Sequence, residues 1–160
     1  MQNLHTLLQK YILLHKESAI LNAAKTSIKI IKHNVVEAQI PLGFSKLGGL
    51  PGLPQGWEFR RDKKRPLSFL GQFKLKEVIT YNLANHLPSN GILYVFYDVM
   101  EQPWGFEEDA GCFRVLYFDG DEKELLRKEY PEESEKYFPL PVFQVTYTNM
   151  LTLPEYPEGM

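Results

Sequence analysis

"LPSNGILYVFYD" occupies residues 87–98 and reads as a turn feeding a strand. Pro88 presets φ, Ser89 and Asn90 can bond the local backbone, and Gly91 accepts positive φ, so the first part favours a tight turn. Ile92 to Tyr97 follows as six apolar or aromatic residues without a charge. That composition predicts a central strand. Six residues fall far short of the about 20 that a membrane helix needs, and no longer apolar run exists in the chain.

The flanking sequence supplies partners for that strand. Downstream, Gln102 to Gly111 reads as a loop. Cys112 to Phe118 then alternates, with Phe113, Val115 and Tyr117 on one face, and Asp119-Gly120-Asp121 closes it. Upstream, Trp57 to Phe59 and Leu67 to Phe73 read as two strands of a hairpin, joined by the charged turn Arg60 to Arg65. Between hairpin and central strand, Leu75, Val78, Ile79, Leu83 and Leu87 repeat at about 3.6 residues and predict a helix over 75–87.

Toward the N-terminus, Leu4, Leu7, Leu8, Tyr11, Ile12 and Leu14 mark a helix over 3–16, with Asn3 as its cap. A second short helix is predicted over 18–25. Ile28, Ile30 and Ile31, then Val35, Val36 and Ile40, predict two short strands about a turn at Lys32-His33-Asn34. Toward the C-terminus, 122–130 has helical composition. Val142 to Leu151 reads as a last strand, entered through Pro139-Leu140-Pro141. Strands alternate with turns more than with helices. The predicted fold class is therefore α+β, mostly antiparallel sheet with an N-terminal helix and one mid-chain helix.

The 160 residues are 44% hydrophobic and 13% aromatic, which suits one domain with a substantial core. A lone cysteine, Cys112, permits no disulfide framework within the chain, and the first residues lack the pattern of a signal peptide. Both features point to a cytoplasmic setting. The net charge of −2 conceals an asymmetry. Residues 1–80 carry 13 Lys/Arg against 5 Asp/Glu, and residues 81–160 carry 5 against 15.

The chemistry-bearing motifs are incomplete. "SKLGGLPGLP" at 45–54 has the glycines of a phosphate loop, but Lys46 precedes them and Pro51 and Pro54 remove amide donors. It reads as a rigid corner, with Ser45 a candidate beside a pocket. The acids around Asp119-Gly120-Asp121 miss the calcium-loop spacing. The four histidines and Cys112 lack zinc spacing, so no metal and no cofactor is implied. No catalytic residue is nominated. Arg60, Arg61, Lys63, Lys64 and Arg65 form a basic turn without aromatic interleaving, which argues against nucleic acid. The strongest binding candidate is "EQPWGFEED" at 101–109, which presents Trp104 and Phe106 beside Glu107, Glu108 and Asp109. Arg60 and Arg61 form a second candidate surface.

"SKLGGLPGLP" at 45–54, Trp57, "PLSFLGQFKL" at 66–75, "LPSNGILYVFYD" at 87–98 and "FRVLYFDGD" at 113–121 follow one another in an order that resembles the YwqG-like family, a bacterial domain of unknown function. The resemblance implies an antiparallel α+β fold in a bacterial cytoplasm, and no established activity. Members of that family are commonly longer, so the resemblance implies either a short member or one lacking C-terminal elements. A bare edge at 142–151 would then favour self-association.

Two functions are compatible with these features. The first is a non-catalytic intracellular protein-interaction domain, in its specific form a neutralising partner for a bacterial toxin or effector. The alternative is an enzyme with a small-molecule pocket beneath the 45–54 loop, lined by Ser45, Trp57, Gln72 and Tyr94 or Tyr97.

Overall fold

A computed structural model describes residues 4–61, 65–81, 86–131 and 139–154. The chain divides into two compact units, residues 1–29 with 148–160 and residues 30–147.

In the smaller unit, helix α1 spans Leu4–Lys10 and helix α2 spans Glu17–Ala23, with a 3₁₀ turn over Leu14–Lys16 before α2. The predicted helix over 3–16 is thus interrupted, and its expected cap Asn3 lies outside the described residues. The interruption has a clear cause. The Leu13 amide donates to Leu8 O at 2.8 Å and the Ile12 amide to Gln9 O at 3.2 Å. This is a Schellman ending, which requires a left-handed residue, and Ile12 takes it at φ 60°. A β-branched residue there is strained. Ile12 is 83% exposed, so little packing opposes its replacement. Ile12→Gly is expected to stabilise this unit by about 0.5–1 kcal/mol, read as a higher urea midpoint. An unchanged or lower midpoint would contradict the strain argument.

The larger unit is built on a six-stranded sheet. Its strands are β1 Lys25–Asn34, β2 Lys46–Leu47, β4 Ser68–Lys74, β5 Ile92–Tyr97, β6 Phe113–Phe118 and β8 Phe143–Thr152, and β1 and β8 run on into the smaller unit. They lie in the order β1-β8-β2-β4-β5-β6. Two short strands, β3 Gly52–Pro54 and β7 Leu125–Arg127, form a separate antiparallel pair. The α+β class and the antiparallel sheet stand as predicted. β5 is central as read: Phe96 pairs with Phe69 of β4 and with Arg114 of β6. Its Ile92, Tyr94 and Phe96 are buried with Leu53, Phe59, Leu67, Phe69 and Leu125 in one cluster. The Phe59 ring meets Phe96 edge-on at 5.5 Å and Tyr130 at 4.6 Å.

Several expectations need correction. Residues 25–34 form one strand rather than two halves about 32–34, and His33 is used within it, bonding Thr146 at 2.8 Å. Residues 37–39 form a 3₁₀ turn instead of a strand, because Glu37 is drawn to a buried lysine described below. Trp57 to Phe59 is not a strand. A turn closes from the Trp57 amide to Pro54 O at 3.0 Å, and the two rings enter the core instead of a ladder. The expected hairpin reduces to a single bridge, Arg61 to Pro66, and its tip, with Lys63 and Lys64, lies outside the described residues.

The helix expected over 75–87 begins as α3 Leu75–Val78 and tightens to 3₁₀ over Ile79–Tyr81. Residues 82–85 lie outside the described set. In place of a helix over 122–130 there is a 3₁₀ turn at Glu122–Glu124, capped by Asp121, followed by β7. There, burial of Leu125 and pairing with β3 override helical propensity. The strand read at 142–151 is not an edge, since β1 and β2 flank it. β2 covers one side of the strand at Phe143 and Gln144.

Candidate functional site

The 45–54 corner is a folding device built around a buried charge. Lys46 lies in β2 with its side chain 3% exposed. Its ammonium donates to the Glu37 carboxylate and to the Leu50 carbonyl, and it sits 5.9 Å from the centre of the Phe69 ring. Glu37 also accepts the Leu50 amide at 2.9 Å. Arg127 of β7 approaches Glu37 at 3.8 Å and donates to Ile40 O at 3.2 Å. Burial draws the Lys46 ammonium below its usual pKa, with Glu37 working the other way. Gly48 and Gly49 make the turn at φ 61° and 65°. A Cβ on Gly48 would lie 2.3 Å from Pro141 O, and one on Gly49 2.5 Å from the Glu37 carboxylate.

The groups nominated for a pocket beneath this corner are occupied by backbone. Ser45 Oγ accepts the Lys74 amide at 2.8 Å. Gln72 accepts the Gly52 amide and donates to Phe44 O, both at 2.9 Å. Tyr94 donates to Gly52 O at 2.7 Å, and burial raises its phenol far above the usual value. Tyr97 donates to Pro103 O at 2.9 Å. Trp57 packs on the core, 6.0 Å from both Tyr94 and Phe118. Arg60 lies 5.3 Å over the Trp57 ring, while Arg61 is exposed, so the two candidate arginines face different surroundings. A shallow depression of about 200 Å³ exists elsewhere, lined by Lys74, Asn90, Phe118, Asp119 and Glu122 among others. The Lys74 charge there is taken by Glu122 at 2.7 Å.

The loop between β5 and β6 is different. Its base is held by Asp98, which is buried and accepts the amides of Met100 at 2.9 Å and Glu101 at 3.1 Å, and Arg65 Nε at 3.0 Å. Burial alone would raise the Asp98 pKa, but these donors hold it below the usual carboxylate value. Its crown is held by Asp109, whose carboxylate accepts the amides of Gly105 at 2.9 Å and Phe106 at 3.0 Å. Asp109 is therefore a clasp rather than a free acid. Between these two pins Trp104 stands 90% exposed, and Phe106, Met100, Glu107 and Glu108 are exposed as well. Of the nominated binding residues, Trp104, Phe106, Glu107 and Glu108 stand exposed on this loop, while Ser45 is buried and Trp57 packs on the core. Glu37 and Asp98 are not among the residues that sequence reasoning nominates. Their roles depend on partners remote in sequence, Lys46 and Arg65, and no local motif marks them.

Among the described residues no helix is long and apolar enough to cross a membrane. A family model described as "Domain of unknown function (DUF1963)" matches residues 45–157. No curated protein matches the chain.

Proposed function

We propose that this chain, which belongs to the DUF1963 family, is a non-catalytic protein-binding module of that family's YwqG-like branch, acting in a bacterial cytoplasm. The observation that carries the proposal is Trp104, 90% exposed on a loop pinned at both ends. A large exposed aromatic has a hydrophobic cost in a free monomer, and holding it rigid reduces the entropy lost on binding. Glu107 and Glu108 beside it favour a partner with basic character. A toxin or effector neutralised by coverage of its basic surface is the specific form of this reading.

The test is affinity capture from a bacterial lysate, followed by titration of the captured partner. Trp104→Ala is expected to weaken binding by about 2 kcal/mol, roughly 30-fold, as for a central interface aromatic. Asp109→Asn, which loosens the clasp, is expected to give a smaller loss in the same direction. The reading fails if Trp104→Ala leaves affinity unchanged. It also fails if nothing is captured while a metabolite screen finds a stabilising ligand.

A further inference from the structure

Strand β6 ends the six-stranded sheet, and its hydrogen-bond phase can be deduced. The Asp98 amide donates to Cys112 O at 2.8 Å, and the β5–β6 register continues unbroken from Tyr97↔Phe113 to Ile92↔Phe118. In an antiparallel ladder, bonded and non-bonded pairs alternate. Arg114, Leu116 and Phe118 therefore turn their backbone groups to β5, and Phe113, Val115 and Tyr117 turn theirs to the edge that no strand among the described residues pairs. These same three residues are 47%, 60% and 42% exposed. Natural edges are usually blunted by lysine, proline, a bulge or a cover. β6 contains no lysine, no proline and no register shift. Its one charge, Arg114, donates to Phe113 O at 2.9 Å.

Charge distinguishes the occupants of such an edge. Acids flank β6 at both ends, Glu107 and Glu108 before it and Asp119 and Glu124 after it, while Asp109, Asp121 and Glu122 are committed to the loop clasp, the Lys123 amide and Lys74. A second copy paired antiparallel about Val115 would bring one acidic end against the other, which is unfavourable. A foreign strand with basic ends would meet acids at both.

We infer that β6 is a docking edge for an extended segment of another protein, apolar at alternate positions and flanked by Lys or Arg, which adds to the sheet as a seventh strand. Backbone bonds to the Phe113 amide and to residues 115 and 117 supply affinity, and the apolar stripe and acidic ends select the sequence. Six residues of β6 span about 20 Å, enough for a segment of similar length. This inference rests on the proposed binding role of the adjoining loop and names its partner class.

The test is selection of random 12-residue peptides, displayed on phage, against the full chain. Enriched peptides should alternate apolar and polar residues and carry Lys or Arg toward both ends. Val115→Pro deletes an outward amide and leaves the bonds to β5 in place, so it should weaken selected peptides by at least about tenfold with an unchanged unfolding midpoint. If that variant does not fold, peptides N-methylated at alternate residues test the same bonds from the partner's side. No enrichment, an acidic or helical consensus, or equal binding after either change overturns the inference. So does a concentration-dependent dimer of the wild type that Val115→Pro abolishes, since a second copy is then the occupant. Loss with Trp104→Ala but not with Val115→Pro keeps the loop reading and removes the edge. The reverse pattern keeps the edge and removes the loop.

Discussion

Glu37→Gln is expected to lower the stability of the larger unit by about 3 kcal/mol, because it leaves a buried cation without its counter-charge. The Lys46 side chain is 3% exposed and Glu37 joins it to the Leu50 amide and to Arg127. Removing one member of a buried pair costs more than the pair is worth, since the survivor keeps its desolvation penalty. Removing both should cost less. Glu37→Leu with Lys46→Met is expected to cost less than Glu37→Gln alone, because no buried cation is stranded, while the Leu50 amide and carbonyl and Arg127 still lose a partner. Urea unfolding of the single, double and wild-type chains measures both. If Glu37→Gln unfolds within about 0.5 kcal/mol of wild type, the ion pair does not hold the corner.

The second large effect concerns shape. Gly48→Ala is expected to destabilise by about 3 kcal/mol, combining a left-handed conformation with a backbone collision. The new Cβ would lie 2.3 Å from Pro141 O and 2.6 Å from Leu140 O, and neither is a side chain that can swing aside. Gly56 is the control. Its φ is also positive, at 84°, but a Cβ there meets nothing within 4 Å. Gly56→Ala should therefore show the conformational cost alone, about 1 kcal/mol. Equal losses at the two positions would mean that the collision with the 140–141 segment is relieved cheaply.

The parts of this fold that can be read from the chain are those whose signal is local and repeated. Ile92 to Tyr97 declares itself through six unbroken apolar residues and the turn before it. β3 and β7 do not, because three residues are too few for any period, and each exists only through the other. The lysine of "SKLGGLPGLP" precedes the glycines, which rules against a phosphate cradle. Its actual use, beneath Leu50 and against Glu37, depends on a pairing that spacing does not reveal. Trp104 is readable as a candidate, but its exposure is not. An aromatic in a Pro/Gly loop can fold inward or stand out, and the outcome follows from the carboxylates of Asp98 and Asp109, which fix the backbone around it. In the sequence, Asp109 is one of three consecutive acids, and nothing in that run separates the clasp from its exposed neighbours.

The two-residue strand β2 has a kinetic consequence. It lies between β8 and β4, pairing Lys46 with Gln144 on one side and with Gln72 on the other. The β4–β5–β6 meander joins neighbours in the chain, so its loops close at small entropic cost. The β2–β8 pairing joins residues about a hundred positions apart and gains only two register pairs for that closure. Assembly should thus run from the meander outward, with the β8 side of β2 paired last. Pulse-labelled amide exchange during refolding would show β5 protected before Leu47, whose amide lies on the β8 side of β2. Simultaneous protection would mean that the sheet condenses as a single nucleus.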